Sequence, residues 1–399
     1  MLPNGWKKSK IGETCSLLSG QDFPPNLYGN EEKGLPYITG ASNFAGNHII
    51  LNRWTEHPKN IAKKGDILLV CKGSGFGITA IADFEKAHIA RQVMALQKLN
   101  GVDKDFLYQV ISMNVRNIKQ KGCGLIPGID RKTVLNIEYL LPPIEEQKKI
   151  AATLSVWDTA IEKMEKLLEA KIVQKNSLTY KLIENQNDVK FKLGNVTIDK
   201  SKWEKKSLKE FGLFSKGQGI KRDEAHSGSI AAVRYGEIYT THNDYIKEFH
   251  SFISEDVAKK SKLLKKGDLL FSCSGETKED IGKCVAFVSN VVAYAGGDII
   301  IFSPQIECDS KYLGFLLNAR SINKQKYGLG QGDSIVHISA ESIGRLTVFL
   351  PSYSEQKAIA DVLSAIDDEL FLLKQQLENY KRQKQGLMQK LLTGQWRVK

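Results

Sequence analysis

One stretch of this chain is written twice. Leu141–Gln186 and Leu350–Gln395 superimpose without a gap at an offset of 209, with 18 of 46 positions identical. Among the matches are Leu141/Leu350, Pro142/Pro351, Glu146/Glu355, Gln147/Gln356, Ile150/Ile359, Leu154/Leu363 and Asp158/Asp367. A fixed offset over that length marks a duplicated structural unit. Alternating steps of four and three from Ile150 meet Leu154, Trp157, Ile161, Met164, Leu168, Lys171, Lys175, Leu178 and Leu182. The same steps from Ile359 meet Leu363, Ile366, Leu370, Leu373, Leu377, Tyr380, Lys384, Leu387 and Leu391. That spacing is a heptad seam, and it predicts two long helices. Both seams lose apolar character at the same step, Lys175 and Lys384, so the helices read as built for one another. Ser352-x-x-Glu355 after Pro351 is a capping-box start for the second helix, and Gly394 is placed to stop it. Forty helical residues extend about 60 Å, more than a single small domain needs.

What hangs on the helices is also repeated. Trp6-Lys7-Lys8-Ser9-Lys10-Ile11-Gly12-Glu13 leads to Ser19-Gly20-Gln21, and Trp203-Glu204-Lys205-Lys206-Ser207-Leu208-Lys209-Glu210 leads to Lys216-Gly217-Gln218. Short β-like runs follow, Leu35–Gly40 and Ala232–Gly236. Lys63-Lys64-Gly65-Asp66 then introduces the apolar run Ile67–Cys71, as Lys265-Lys266-Gly267-Asp268 introduces Leu269–Cys273. Each reads as a Gly-Asp turn feeding a buried strand. A further strand in each half, Val93–Leu96 and Asp298–Phe302, precedes a helix starting near Phe106 or Tyr312. Glycine-rich loops follow at Lys121–Gly124 and Tyr327–Gly332, and each half returns through Ile129–Leu141 or Ile338–Leu350 to its long helix.

These runs divide the chain into a globular domain (1–140), a helix (141–186), a polar linker (187–202), a second globular domain (203–349) and a second helix (350–399). The expected fold class is α+β: two α/β-type globules in tandem, each followed by a long helix, with the helices paired as a coiled coil about a pseudo-twofold axis. The seams permit either sense of pairing. An antiparallel coiled coil is preferred, because a linker of about twenty residues covers up to roughly 66 Å when extended and can run back along the helices.

Charge locates the binding surfaces. The net charge of +12 divides into +6 for residues 1–140, −1 for 141–189, +5 for 190–350 and +2 for 351–399. Two basic globules on nearly neutral helices suggest two polyanion-binding surfaces, with nucleic acid the commonest partner. No apolar run approaches a membrane span and Met1–Lys10 lacks the apolar core of a signal peptide, so a cytoplasmic location is expected. The six cysteines are scattered, without a C-x-x-C pair, and indicate neither zinc nor a disulfide framework.

Catalytic motifs fail one by one. Asp22-Phe23-Pro24-Pro25 has the wrong order for an amino-methyltransferase loop, and Gly275…Gly282-Lys283-Cys284 has the wrong spacing for a P-loop. Glu146-Gln147-Lys148 and Glu355-Gln356-Lys357 fit half of a nuclease signature, but they lie in a first helical turn where glutamate complements the helix dipole. His88 and His337 sit beside apolar residues and read as core or loop histidines. No metal site, cofactor site or catalytic residue is expected in this chain. The candidate DNA-binding residues are those of the matched loops: Lys72, Ser74, Arg91, Gln92, Lys121 and Arg131 in the first half, and Gln218, Lys221, Arg222, Arg234, Lys278 and Gln331 in the second. Arg, Lys and Gln side chains reach phosphates and base edges, and glycine-rich loops allow close backbone approach.

On these features the chain resembles the DNA-specificity subunit of type I restriction-modification systems over nearly its full length. The resemblance rests on Leu141-Pro142-Pro143-Ile144-Glu145-Glu146-Gln147 and Leu350-Pro351-Ser352-Tyr353-Ser354-Glu355-Gln356, with the Gly65–Leu68 and Gly267–Leu270 strands. The second of these lacks the Pro-Pro and the Glu-Glu pair. The resemblance implies that each globule is a target-recognition domain reading half of a split DNA sequence, and that the helices act as a spacer. It further implies that two methyltransferase subunits dock here, carrying S-adenosylmethionine and modifying adenine, with motor-nuclease subunits using ATP and magnesium as optional partners. The two globules share little identity outside the scaffold strands, which implies unequal half-sites. Alternatives are a specificity module of a fused or methylation-only enzyme, a coiled-coil adaptor that binds no DNA, and a self-sufficient nuclease.

Overall fold

The computed structural model describes residues 3–46, 48–73, 75–120, 128–185, 187, 189–275, 277–278, 281–332 and 336–398. The chain forms two compact units, Met1–Leu167 with Leu373–Lys399, and Leu168–Leu372. Each long helix therefore contributes residues to both. The first spans Ile144–Thr179 and ends in a π-helical turn, Tyr180–Glu184; the second spans Tyr353–Leu392. Glu355 accepts from the amide (3.0 Å) and the hydroxyl (2.7 Å) of Ser352, and Gly394 follows the last turn at φ +71°, so both ends of the second helix form as expected.

Unit 1 has a four-stranded antiparallel sheet in the order Ser16–Ser19, Val93–Gln97, Ile67–Val70, Thr79–Ile81. A second sheet runs Trp54–Thr55, Leu35–Ile38, Lys86–Ile89, Ile61–Lys63, and its central pair, Leu35–Ile38 with Lys86–Ile89, is parallel. A ribbon of Lys7–Lys10 with Glu138–Leu141 closes the unit at the start of the first long helix.

Unit 2 repeats this plan strand for strand. Its antiparallel sheet is Gly212–Lys216, Ile299–Pro304, Leu269–Ser272, Cys284–Ala286. Its second sheet is Ser251–Ile253, Ile230–Val233, Ala293–Ala295, Lys262–Leu263, again with a parallel central pair. The closing ribbon is Glu204–Ser207 with Thr347–Leu350.

The repeated glycines have repeated causes. Gly65 and Gly267 hold φ of +87° and +100°, while Asp66 and Asp268 each accept an amide three residues back, from Lys63 and Lys265, at 2.7 and 2.8 Å. This turn launches Ile67–Val70 and Leu269–Ser272, both buried at every position. At Gly20 and Gly217 a side chain would start 2.0 Å from the Ala90 or Gly296 carbonyl oxygen, so only glycine fits where the strands cross.

Ile150 and Leu154 lie in the core of unit 1, as Ile359 and Leu363 lie in that of unit 2. Ile366, Leu370 and Leu377 are buried, and Trp157, Ile161 and Leu168 half-buried, so the heptad seam is the covered face of each helix.

Three segments differ from expectation. Tyr235 and Gly236 belong to a helical turn, Tyr235–Thr240, because the Glu237 carboxylate accepts the Arg234 amide at 3.1 Å and caps it. Tyr327–Leu329 closes a helix, Arg320–Leu329, anchored by buried Ile322 and Lys326. Residues 187–202 are not simply a linker. Lys190–Leu193 and Val196–Asp199 form a hairpin with Ile198 fully buried, and Lys200 Nζ caps the first long helix by donating to the Lys181 and Asn185 carbonyls at 2.8 and 2.6 Å. The loop at Lys121–Gly124 lies outside the described residues.

Candidate nucleic-acid interface

The long helices are tied into their units through two Glu-Gln pairs, Glu146-Gln147 and Glu355-Gln356, that recur at the 209-residue offset. In unit 1 Trp6 Nε1 donates to Glu146 at 3.0 Å, and Arg397 Nε lies 2.6 Å from the same carboxylate. Burial raises the Glu146 carboxyl, but these two donors outweigh it and hold the group below the ordinary value. Gln147 accepts the Asp103 amide at 2.7 Å and donates to the Pro142 carbonyl at 2.8 Å. In unit 2 Trp203 donates to Glu355 at 3.3 Å, and Gln356 accepts the Asp309 amide at 2.9 Å while donating to Pro351 at 2.9 Å. The Glu-Gln pairs are thus helix anchors, as their place in a first turn indicates.

The two lysine interruptions are ion pairs. Lys384 meets Asp158 in unit 1, and Lys175 Nζ lies 2.7 Å from Asp367 in unit 2. These are the same pair of positions read from opposite repeats. In unit 1 Asp158 pairs with Lys384 and Glu165 with Lys381, and Arg397, beyond the end of the second helix, pairs with Glu146. In unit 2 Lys171 pairs with Glu369 and Lys175 with Asp367.

The surroundings of the pairs differ. In unit 1 Gln109 donates to the second Asp158 oxygen at 2.7 Å. In unit 2 Lys175 carries a second carboxylate, Asp244, at 2.6 Å. Burial pushes the Asp367 carboxyl up, although Lys175 pulls the other way. Sequence shows the lysines and aspartates at matching offsets, which is the signal for these pairs, but not Asp244.

Five of the twelve candidate binding residues lie where the parallel strand pair of their unit ends. In unit 1 Arg91 and Gln92 directly follow Lys86–Ile89 and Ala90, and a side chain on Gly40, just past the partner strand, would meet Gln92 Oε1. Exposed Lys72 is close by, since the Cys71 amide donates to the Gln92 carbonyl at 2.8 Å. In unit 2 Arg234 follows Ile230–Val233, and the amide of exposed Gln218 donates to the carbonyl of Ala295, which ends the partner strand.

The remaining candidates are dispersed. Lys221 and Arg222 are exposed at a short turn where Glu224 accepts the Lys221 amide at 2.7 Å. Lys278 is half-buried, and Gln331 is exposed with its backbone paired to His337. Exposed Arg131 donates from Nη1 to the Leu17 carbonyl, which makes it a brace for the Ser16–Ser19 strand. Ser74 and Lys121 lie outside the described residues.

His88 is a core residue. Its Nδ1 accepts the Lys59 and Asn60 amides, both at 3.2 Å, its Nε2 faces the Gln21 carbonyl at 2.8 Å, and Phe23 stacks on the ring at 4.2 Å. Among the described residues no cluster of three His, Cys, Asp or Glu side chains could hold a metal, and no helix is long and apolar enough to cross a membrane.

Comparison with known proteins matches this architecture. A family model described as the type I restriction modification DNA specificity domain matches twice, at residues 3–172 and 200–380. The type I restriction enzyme MjaVIII specificity subunit of Methanocaldococcus jannaschii is 26% identical, with alignment over 100% of this chain and 94% of that one. The MjaIX specificity subunit of the same organism is 21% identical over 100% and 95%. The crystal structure of the type I system S subunit from M. genitalium superimposes with TM-score 0.62 at 19% identity, covering 98% of both chains. A second structure, from work on complex assembly and conformational transition of the type I restriction-modification system, gives 0.55 at 16% identity over 98% of both. With two copies of the domain model on two units of one topology, the chain belongs to the type I restriction-modification specificity family and is a specificity subunit.

Proposed function

We propose that this subunit reads a split DNA target, one unit per half-site, and that the long helices form an antiparallel coiled coil that sets the unread gap. It docks two methyltransferase subunits that use S-adenosylmethionine to methylate adenine, and it has no catalytic residue of its own. Motor-nuclease subunits with ATP and magnesium join where the system also cleaves, and the assembly works in the cytoplasm. The observation that carries this reading is the reuse of one scaffold with different polar side chains at the same strand ends. Duplicated scaffolds with unlike reading edges suit two unlike half-sites joined at a fixed spacing. Basic charge concentrated in the globular parts supplies the phosphate attraction such a reader needs.

The test is selection of bound duplexes from a random pool by the full chain with its methyltransferase subunits. Two conserved blocks separated by a constant unread gap are expected. Exchanging 203–349 for the corresponding domain of another family member changes one block and leaves the other. Movement of both blocks, or no retained DNA at low salt, refutes the reading.

A further inference from the structure

Each unit holds one arginine by its Nε at the end of its parallel strand pair. In unit 1 Arg91 Nε lies 2.6 Å from Asp22 Oδ2, and the Arg91 amide donates to the other oxygen of that carboxylate at 3.0 Å. In unit 2 Arg234 Nε donates to Ser251 Oγ at 3.1 Å and sits 3.5 Å from Glu237 Oε1. Ser251 is fully buried and Glu237 nearly so, and the Ser251 hydroxyl itself donates to Glu237, so the holding group is rigid. Nη1 and Nη2 of both arginines make no hydrogen bond among the described residues.

We propose that Arg91 and Arg234 are specificity-determining residues, each presenting the outer fork of its guanidinium to the O6 and N7 acceptors of one guanine, one in each half-site. This rests on the split-target reading above. The fork matches the major-groove face of guanine; Arg234, held at Nε by buried groups, loses little rotamer freedom on binding, while Arg91, 70% exposed, has Nε directed by Asp22 and its fork open to a ligand. Other arginines lack one of these properties. Arg131 spends Nη1 on Leu17, Arg53 lies over the Tyr28 ring, and Arg222 is exposed with no holding carboxylate. The two arginines follow different strands of the pair, Lys86–Ile89 in unit 1 and Ile230–Val233 in unit 2. At the place of Arg234 unit 1 has Thr39, whose amide donates to Oδ1 of the buried Asn43 side chain at 2.9 Å. The two guanines therefore occupy different positions within their half-sites.

The experiment is the same pool selection with the full chain and its methyltransferase subunits, using Arg91→Ala, Arg234→Ala and the two Lys variants, with melting temperature as the folding control. Each Ala variant is expected to lose about 10- to 100-fold of guanine preference at one position of one half-site, with the other half-site intact. Each Lys variant keeps overall affinity without restoring that preference. Retention of guanine by the Ala variants overturns the proposal, as does its full rescue by Lys. A fall of about one in the salt slope with unchanged base preferences reassigns the residue to a phosphate and also overturns it. If the wild-type assembly selects no split target at all, the underlying reading fails, and this one with it.

Discussion

Removing the ammonium of Lys175 should cost more than removing that of Lys384, although the two occupy equivalent seam positions. The side chains of Lys384 and Asp158 are 9% and 18% exposed; Lys175, Asp244 and Asp367 are 17%, 12% and 6% exposed. Lys384→Met leaves one carboxylate, Asp158, which keeps its hydrogen bond from Gln109. Lys175→Met leaves two buried carboxylates that had shared a single cation, and Asp367 Oδ2 has no hydrogen-bond partner even in the wild type. Breaking a buried pair by deleting one partner costs roughly 3–5 kcal/mol. Lys175→Met is placed at the top of that range and Lys384→Met below it. For a unit of this size each kcal/mol lowers the melting temperature by roughly 2–4 °C, so Lys175→Met should melt at least about 10 °C below wild type.

The loss in Lys175→Met also depends on pH. Burial already raises the Asp367 carboxyl in the folded protein, and deleting the lysine raises it further. A carboxyl whose folded pKa exceeds its unfolded value binds more protons folded than unfolded, so stability rises as pH falls through the folded pKa toward the unfolded one, about 3.9. The deficit of Lys175→Met should therefore shrink between pH 7 and pH 5. Calorimetric scans of the full chain at both pH values check this. Equal losses for the two variants, or a deficit independent of pH, would refute the reasoning.

Other outcomes are equally definite. Burial holds the His88 imidazole below its usual range, and Nδ1 must stay unprotonated to accept two amides; its contribution is present above the unfolded pKa, about 6.5, and is lost as pH falls through the folded value. Unit 1 should thus lose stability from pH 7 to pH 5 in melting experiments, and His88→Leu, destabilised by about 1–3 kcal/mol, should lose less over that interval. Gly217→Ala should destabilise unit 2 by about 1–3 kcal/mol in urea titration, because the new methyl meets a carbonyl, whereas helical Gly236→Ala, with open space around it, should stabilise by about 0.5–1 kcal/mol. Inserting four residues into each long helix adds about 6 Å and should lengthen the selected gap by about two base pairs; an unchanged gap rules out a helical ruler.

The chain alone determined whatever is local or periodic. The heptad steps from Ile150 and Ile359, the caps at Ser352 and Gly394, and the Gly65-Asp66 and Gly267-Asp268 turns were all legible, because each depends on neighbours within one turn or on identity at a fixed offset. Tertiary structure decided what long-range proximity controls. Asp244 reaches Lys175 across 69 residues, Arg131 commits Nη1 to the Leu17 carbonyl, and Glu237 converts the end of a strand into a capped helical turn around Arg234. Composition shows that such a chain carries many cations. Which of them a carboxylate or hydroxyl holds at Nε depends on strand ends brought together only by folding.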